Sequence, residues 1–193
     1  MGSIELELKG VVPDPAKVRA ALLATGATLS FRGLLADRRY DRDGTLRARD
    51  EVLRTRAYVA AGATTRAQLG WKGPTSRSAE GYKVREEREL DVTAGEPAAF
   101  LEALGFAPVH AIDRWIEVYH LGSAEARLEW YPRMDVLVEV EGDRAGIERL
   151  IEVIGLPRDS FTSEALDAFT ARYDARHPNA PSLVSKAGWT GPA

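Results

Sequence analysis

The sequence contains no cysteine, only three histidines and no apolar run long enough to cross a bilayer. Without cysteine there are no disulfides, no thiolate metal sites and no thiol catalysis, which is compatible with a reducing cytosol. The histidines His110, His120 and His177 show no metal-ligand spacing, and we expect them to be structural or exposed. A membrane-spanning helix needs about 20 apolar residues, so we expect a soluble, cytoplasmic protein without membrane partners.

An excess of positive charge is also missing. The chain has 26 basic and 29 acidic side chains, for a net charge of −3. Proteins that bind a nucleic-acid duplex normally present a strong basic field, so a duplex is not an expected partner. The length of 193 residues is sufficient to bury a substantial hydrophobic core.

What the chain does have is charged alternation, which begins in residues 3–9, Ser-Ile-Glu-Leu-Glu-Leu-Lys. In an extended strand successive side chains point to opposite faces, so Glu5, Glu7 and Lys9 share one face, about 7 Å apart. Such a row suits a divalent cation held by carboxylates beside a phosphate held by a lysine. A half-buried edge strand with a solvated polar face is the alternative interpretation.

The same alternation returns in later predicted strands. The charged residues that share a face there are Arg54 and Arg56 in 52–60, Lys72 in 68–72, Lys83, Arg85, Glu87 and Glu89 in 82–90, Arg114 in 109–121, Arg127 and Glu129 in 126–131, and Glu139 and Glu141 in 136–141. Whether Lys83 and Glu89 belong to a site is left open by the sequence. Glu86 and Arg88 have the opposite parity and are expected to be solvated.

Four segments between or after these strands have apolar residues at helical spacing. The first covers 16–25, with Asp14 as N-cap, Pro15 at the first helical position and Gly26 beyond the end. The others cover 96–105, 144–155 and 163–176, the last capped by Thr162 or Ser163. Residues 42–45 are predicted to form a polar turn.

About eight strands and four helices indicate an α+β fold. The helices must bury their apolar stripes against the apolar strand faces, so the charged faces point away from the helices. In a flat, open sheet those faces would be wet, whereas in a closed barrel they line a lumen. Unpaired buried charge is costly, so closure predicts a ligand rich in negative charge, such as a phosphate chain, together with a divalent metal.

Taken in order, these motifs resemble the signature of the CYTH superfamily, the triphosphate tunnel metalloenzymes. That family includes class IV adenylyl cyclases, thiamine triphosphatases and inorganic tripolyphosphatases. The matching motifs are Glu5-x-Glu7-x-Lys9, Arg54-x-Arg56, Lys72 before Gly-Pro, Arg85-x-Glu87-x-Glu89, Arg114, Arg127-x-Glu129 and Glu139-x-Glu141. The resemblance covers residues 3 to about 170 and implies a closed eight-stranded antiparallel β-barrel with helices packed outside.

The resemblance also implies a domain organisation and a role for each charged position. A single domain would span 1–177, followed by an irregular tail over 178–193, and relatives commonly form dimers, which makes a homodimer a candidate assembly. The implied ligands of one or two Mg²⁺ or Mn²⁺ ions are Glu5, Glu7, Glu129, Glu139 and Glu141. The implied substrate-binding residues are Lys9, Arg54, Arg56, Lys72, Arg85, Arg114 and Arg127. Glu5, Glu7, Lys9 and Glu87 form the implied catalytic set, and Lys186 in the tail could reach a tunnel mouth, as a C-terminal lysine does in some thiamine triphosphatases.

The function implied is a metal-dependent enzyme acting on a triphosphate-containing small molecule. Hydrolysis of tripolyphosphate, or of a nucleoside or thiamine triphosphate, is the first interpretation. A class IV adenylyl cyclase making cyclic AMP and pyrophosphate from ATP is the second, and a polyphosphate-binding module without turnover is the third. Two positions depart from the family pattern. Glu129 stands where relatives commonly have Asp, which keeps the charge but lengthens the side chain. Ile112 and Ile116 flank Arg114 where many cyclases carry a second basic residue, which counts against cyclase activity more than against phosphate binding.

Overall fold

The computed structural model describes residues 3 to 192. Over these residues the strands are β1 Ser3–Val11, β2 Thr28–Asp41, β3 Val52–Ala60, β4 Ala63–Lys72, β5 Ser76–Arg77, β6 Lys83–Asp91, β7 Ala107–Leu121, β8 Ala124–Trp130 and β9 Leu137–Glu141. The helices are α1 Pro15–Ala24, α2 Thr45–Ala48, α3 Glu96–Ala103, α4 Arg144–Ile154 and α5 Leu166–Arg176. A short 3-10 turn, Arg158–Ser160, precedes α5.

Eight of these strands form one closed antiparallel barrel. Neighbouring strands follow the order β1-β9-β8-β7-β2-β3-β4-β6, and a further pairing between β6 and β1 closes the ring. The two-residue strand β5 is an addition that pairs with β6. The predicted fold class, an α+β protein with a closed eight-stranded barrel and helices outside, is therefore confirmed.

Helices α1 and α4 cover the outer face of β1, β8 and β9. Leu22 of α1 and Ile147 of α4 are buried in one cluster with Leu8, Leu128 and Val140 of the three strands. Full burial of one such side chain contributes roughly 1.5–3 kcal/mol, so this hydrophobic cluster holds α1 and α4 against the barrel. The charged residues of the same strands alternate with the buried ones and consequently face inward.

Helix α5 lies across one end of the barrel. Its Phe169 is buried in a cluster with Ile112 of β7, Tyr131 and Leu137 of β9. Ile112 and Leu137 lie two positions from the inward-facing Arg114 and Glu139, so they share the inner face with them. The apolar contacts with Phe169 therefore lie on the inner face of the barrel at this end.

Most predicted boundaries of strands and helices lie within five residues of the observed ones. For α1 and α4, the capping residues explain the agreement. The carboxylate of Asp14 accepts a hydrogen bond of 3.0 Å from the Lys17 amide, and Pro15 opens α1, as predicted. Helix α4 begins after Asp143, which accepts from the Gly146 amide at 2.7 Å, and ends at Gly155 with φ of 73°.

Two local predictions were wrong. Helix α5 begins at Leu166 and not at 163, because the backbone of Thr162 pairs with that of Lys9 through hydrogen bonds of 2.8 and 2.9 Å and cannot join a helix. Residues 45–48, placed in a polar turn and the charged segment after it, form the short helix α2. The Asp41 carboxylate anchors that helix by accepting 3.0 Å hydrogen bonds from the amides of Leu46 and Arg47.

The residues after α5 run along the barrel without helix or strand over the part that the structure describes. The Val184 carbonyl accepts a 2.8 Å hydrogen bond from the Asp113 amide, and Leu183 forms a bridge with Arg133. The division into a domain of 1–177 and a tail stays a prediction. No helix among the described residues is long and apolar enough to span a membrane.

Candidate active site in the barrel lumen

The charged side chains predicted from the alternation lie on the inner face of the barrel. Those with no more than 8% of their surface exposed are Glu7, Lys9, Arg54, Arg56, Lys72, Arg85, Arg114, Arg127, Glu129 and Glu139. Glu5, Glu87 and Glu141 are half-buried. On the outer face of β6, Glu86 and Arg88 pair with each other at 2.6 Å, and Arg88 is exposed, as predicted for the opposite parity.

The strand register accounts for this convergence. In the β1–β9 pair, Glu7 lies opposite Glu141 and Lys9 lies opposite Glu139. In the β1–β6 pair, Glu5 lies opposite Arg85. Residues directly opposite each other in an antiparallel pair share a face, so one inward residue makes its cross-strand partner inward as well.

Three carboxylates form a compact acidic cluster, which we call the acidic triad: Glu5, Glu7 and Glu141. One oxygen from each lies within 4.8 Å of the other two. Burial, together with the nearby carboxylates of Glu139 and Glu5, raises the pKa of Glu141 well above its ordinary value. A divalent cation prefers carboxylate oxygens and would relieve this repulsion, so the residues present fit the metal that the resemblance implies.

Glu129 and Glu139, the other two predicted metal ligands, are engaged in ion pairs. Lys9 Nζ lies 2.5 Å from Glu139 Oε2 and 3.5 Å from Glu129 Oε2. Arg114 Nε lies 3.1 Å from Glu129, and Arg127 Nη1 lies 2.8 Å from Glu139. Burial lowers the pKa of Lys9, but the two carboxylates outweigh it and raise that pKa above its ordinary value, which keeps the ammonium charged.

The predicted phosphate-binding residues of β3 and β4 share carboxylates with one another. Arg54 lies 2.5 Å from Glu87 and 3.0 Å from Glu89, and Arg56 lies 3.3 Å from Glu89. Lys72 Nζ lies 2.6 Å from Glu5 and 3.1 Å from Glu87. Glu89, which the sequence left open, therefore belongs to the inner face.

Two residues of this face have different partners. Arg85 donates to the backbone carbonyls of Gly73 at 2.6 Å and Asp50 at 2.7 Å, and it pairs with no carboxylate among residues 3 to 192. Lys83, also left open by the sequence, contacts the Glu7 carboxylate of the acidic triad. The inner face thus holds one arginine whose position is set by the backbone and one lysine in contact with a candidate metal ligand.

Sequence reasoning missed Asp37 of β2. Its side chain is 2% exposed, and its carboxylate lies 3.2 Å from Arg56 and 4.0 Å from Arg114. Burial raises the pKa of Asp37, but the arginines outweigh it and hold that pKa well below its ordinary value. The signal was available, because Asp37 and Arg39 have the parity of an inward pair within the predicted strand.

Arg39, the second residue of that inward pair, was also missed from the sequence. It lies opposite Arg54 in the β2–β3 pair. Its buried Nε has no hydrogen-bond partner among the described residues. Burial and repulsion from Arg54 and Arg114 lower the pKa of Arg39, against the opposing effect of Asp37. A guanidinium in such surroundings is stabilised by a bound anion.

Arg56 lines two cavities that lie along the lumen. The first cavity, of about 540 Å³, is lined by Ser30, Phe31, Tyr58, Arg66, Gln68, Val118, His120, Glu125 and Arg127, together with Glu5 and Glu141 of the acidic triad. The second cavity, of about 850 Å³, is lined by Lys9, Arg39, Arg54, Lys72, Arg114 and the start of α5, among others. The exposed Lys186 lines neither.

Glu87 provides a pH-dependent prediction. Burial and the charges of Glu5 and Glu89 raise its pKa from 4.5 to about 7, against the opposing effect of Lys72 and Arg54. Between these two values the folded state binds more protons than the unfolded state, so the free energy of unfolding falls as pH rises through this window. Urea unfolding in EDTA at pH 5, 6, 7 and 8 should show this loss, and Glu87→Gln should show less of it. An identical pH dependence in wild type and Glu87→Gln would contradict the assignment.

No family model matches the sequence, and no curated protein matches it significantly. Solved structures with similar folds were found. A candidate adenylate cyclase from Vibrio parahaemolyticus has a TM-score of 0.73 at 17% identity, with 89% of this chain and 99% of that chain covered. A Pyrococcus horikoshii protein has a TM-score of 0.67 at 22% identity, covering 84% of this chain and 95% of that one.

A candidate adenylyl cyclase from Hippeastrum, described as having a dominant triphosphatase activity, has a TM-score of 0.61 at 18% identity. The alignment covers 89% of this chain and 96% of that chain. This chain shares its fold with these proteins. At these identities the likeness establishes the fold alone, and the charged lumen is the feature of this chain that bears on its chemistry.

Within this fold, the charged strand residues that the sequence assigned to a site all lie on the inner face of the barrel. The roles of those residues stay predictions. The acidic triad contains three of the five implied metal ligands, and Glu129 and Glu139 lie next to it in contact with lysine and arginine.

Proposed function

We propose that this protein hydrolyses triphosphates in the lumen of its barrel with the help of a divalent metal ion. The observation that supports this best is the acidic triad, placed on the same inner face as a set of buried lysines and arginines. Carboxylates alone would suit a cation, and cations alone would suit any anion. Their combination in one lumen suits a metal–polyphosphate complex.

The basic residues would hold the phosphate chain. Arg54, Arg56 and Arg114 offer guanidinium groups that bind phosphate oxygens in pairs, and Lys9 and Lys72 offer point charges. Each of these side chains has a carboxylate partner within 4 Å. Those partners keep the cations in position before substrate arrives, and incoming phosphate oxygens would share or replace them.

In the proposed reaction, the oxygen of a water molecule forms a bond to the terminal phosphorus while the bridging P–O bond breaks. The products are orthophosphate and the shortened phosphate chain, and the proton lost by water passes to a carboxylate or to solvent. The arginines stabilise the negative charge that develops on the leaving oxygen. A bound divalent ion would supply charge neutralisation and activation of the attacking oxygen, and Glu5, Glu7 and Glu141 are the residues that would hold it.

Cyclisation of ATP is the second candidate, and the likeness to the Vibrio candidate adenylate cyclase favours it. The Hippeastrum neighbour, with its dominant triphosphatase activity, favours hydrolysis. In β7, Ile112 and Ile116 flank Arg114 on the inner face and are buried at 1% and 0% exposure. This strand therefore adds one inward cation to the site, which is consistent with hydrolysis.

The test measures phosphate release from tripolyphosphate, ATP and thiamine triphosphate with Mg²⁺ or Mn²⁺, and cyclic AMP formation from ATP at alkaline pH. We expect metal-dependent phosphate release that EDTA abolishes, with little cyclic AMP. Cyclic AMP as the dominant product would replace this proposal with the cyclase. Binding of tripolyphosphate by calorimetry without any turnover would point to the binding module.

A further inference from the structure

An apolar cluster lies inside the charged lumen. Leu35, Ile116 and Val118 are buried, and Phe31 and Tyr58 pack against them while remaining partly exposed. Leu35 lies opposite Tyr58 in the β2–β3 pair and opposite Arg114 in the β2–β7 pair, and Val118 lies opposite Arg127 in the β7–β8 pair. Since Arg114 and Arg127 face the lumen, the cluster faces it too.

This cluster occupies one wall of the barrel. In the ring of eight strands, β2 is four strands away from β1 in either direction, so the two lie on opposite sides of the lumen. Phe31 of β2 and Tyr58 of β3 line the first cavity together with Glu5 and Glu141 of the acidic triad. The first cavity therefore has an apolar, aromatic side and an ionic side.

The aromatic side has the features of a site for a planar ring. Phe31 and Tyr58 meet edge to face with ring centroids 5.2 Å apart, and the Arg66 guanidinium lies 5.4 Å from the Tyr58 centroid. Polar side chains that could contact the edge of a ring, namely Ser30, Gln68 and His120, line the same cavity. Gln68 is held in place, because its Oε1 accepts a 3.1 Å hydrogen bond from the Tyr58 hydroxyl.

The Phe31 ring packs closely against the backbone of Gly33. Gly33 follows it on the same face, and a Cβ there would lie 2.9 Å from Phe31 Cζ and 2.3 Å from the Val59 carbonyl oxygen. Any other residue at Gly33 would push the Phe31 ring or the neighbouring strand. The absence of a side chain therefore leaves room for the aromatic wall.

We infer that the aromatic side of the first cavity binds the base of a nucleoside triphosphate, with the phosphate chain running inward toward Arg56 and Arg127. This inference rests on the proposed function and names its substrate class. The cavity volume of about 540 Å³ lies within the range of small-molecule sites. In the second cavity, by contrast, the aromatic residues Tyr40 and Tyr131 are only 5% and 6% exposed, which leaves charged side chains as its main contacts.

The test compares ATP with tripolyphosphate, which lacks a ring. In Phe31→Ala the KM for ATP should rise by about tenfold or more, the loss expected for one base–aromatic stacking contact, while the KM for tripolyphosphate should change less than about twofold. Phe31→Trp should keep the ATP value because it keeps a planar face. Phe31→Leu, which keeps apolar bulk without a ring, should behave like alanine. Phe100→Ala on α3, where Phe100 is 63% exposed outside the barrel, is the matched control.

Calorimetric binding of a non-hydrolysable ATP analogue to the same variants gives a second readout that needs no turnover. Equal losses for ATP and tripolyphosphate, or wild-type ATP affinity in Phe31→Leu, would show that Phe31 only packs the lumen and would overturn the inference. Absence of any hydrolysis would overturn the proposed function instead. The selective loss of analogue binding in Phe31→Ala would still support the base site.

Discussion

Glu7→Gln is expected to reduce kcat by on the order of a hundredfold or more, since changes around a metal's ligands already cost about 10–100-fold in affinity or activity. Glu7 is the most buried member of the acidic triad, and its neighbours Glu5 and Glu141 lie within 4.8 Å. Glutamine removes the negative charge while nearly preserving shape. Calorimetric titration with Mn²⁺ should therefore show weakened binding, with the fold intact by circular dichroism.

Two controls separate loss of metal from other causes. Glu86→Gln changes the same residue type on the outer face of β6 and should leave kcat and Mn²⁺ affinity unchanged. Lys83→Gln removes the ammonium that contacts Glu7 but leaves the carboxylate, so it should not reproduce the loss of metal affinity. Near-native kinetics in Glu7→Gln, or an equal loss of metal affinity in Lys83→Gln, would remove Glu7 from the metal site.

Arg56→Ala is expected to lower both activity and stability. Arg56 lines both cavities, so its loss should raise KM and reduce kcat together. The same change leaves the Asp37 carboxylate, 2% exposed, without its 3.2 Å guanidinium partner. Removing one member of a buried ion pair costs about 3–5 kcal/mol, so urea unfolding should show a large drop in the free energy of unfolding.

Further variants distinguish the two effects. The double variant Asp37→Leu with Arg56→Leu removes both charges, and a buried pair replaced by apolar residues is often neutral or stabilising. Its stability should recover relative to Arg56→Ala, whereas its activity should remain low. Arg56→Lys keeps the charge without the planar fork and should retain partial activity. Recovery of full activity in the double variant would show that Arg56 has a structural role alone.

The charged part of the site could be predicted because its parity is unambiguous. In β1 and β9, charged residues alternate with leucine and valine, and the apolar row faces the helices while the charged row faces the lumen. Glu7 and Glu141 come from opposite ends of the sequence, yet the β1–β9 register makes them neighbours. Asp37 and Arg39 of β2 obey the same rule, because two positions separate them and both lie on the inner face.

The apolar wall could not be predicted in this way. Leu35, Ile116 and Val118 have the composition of an ordinary core, and alternation alone does not show whether an apolar face meets a helix or a lumen. In β7 the inner row includes Ile112, Arg114, Ile116 and Val118, so apolar residues surround the inward arginine. The aromatic side of the first cavity faces the carboxylates because β2 lies opposite β1 in the closed ring.

By itself, the sequence determined the order of the strands along the chain and the face on which most of the charged side chains lie, because alternation in a strand assigns each side chain to one of two faces. Closure into a barrel was implied by the family resemblance and is decided by the pairing of β6 with β1. Only the tertiary structure decided which of those charges meet. It grouped Glu5, Glu7 and Glu141 as a candidate metal site, placed Glu129 and Glu139 in ion pairs and set an aromatic wall opposite the carboxylates. The reason is physical: periodicity is a local property of a strand, whereas distances across a lumen depend on the register and closure of all eight strands.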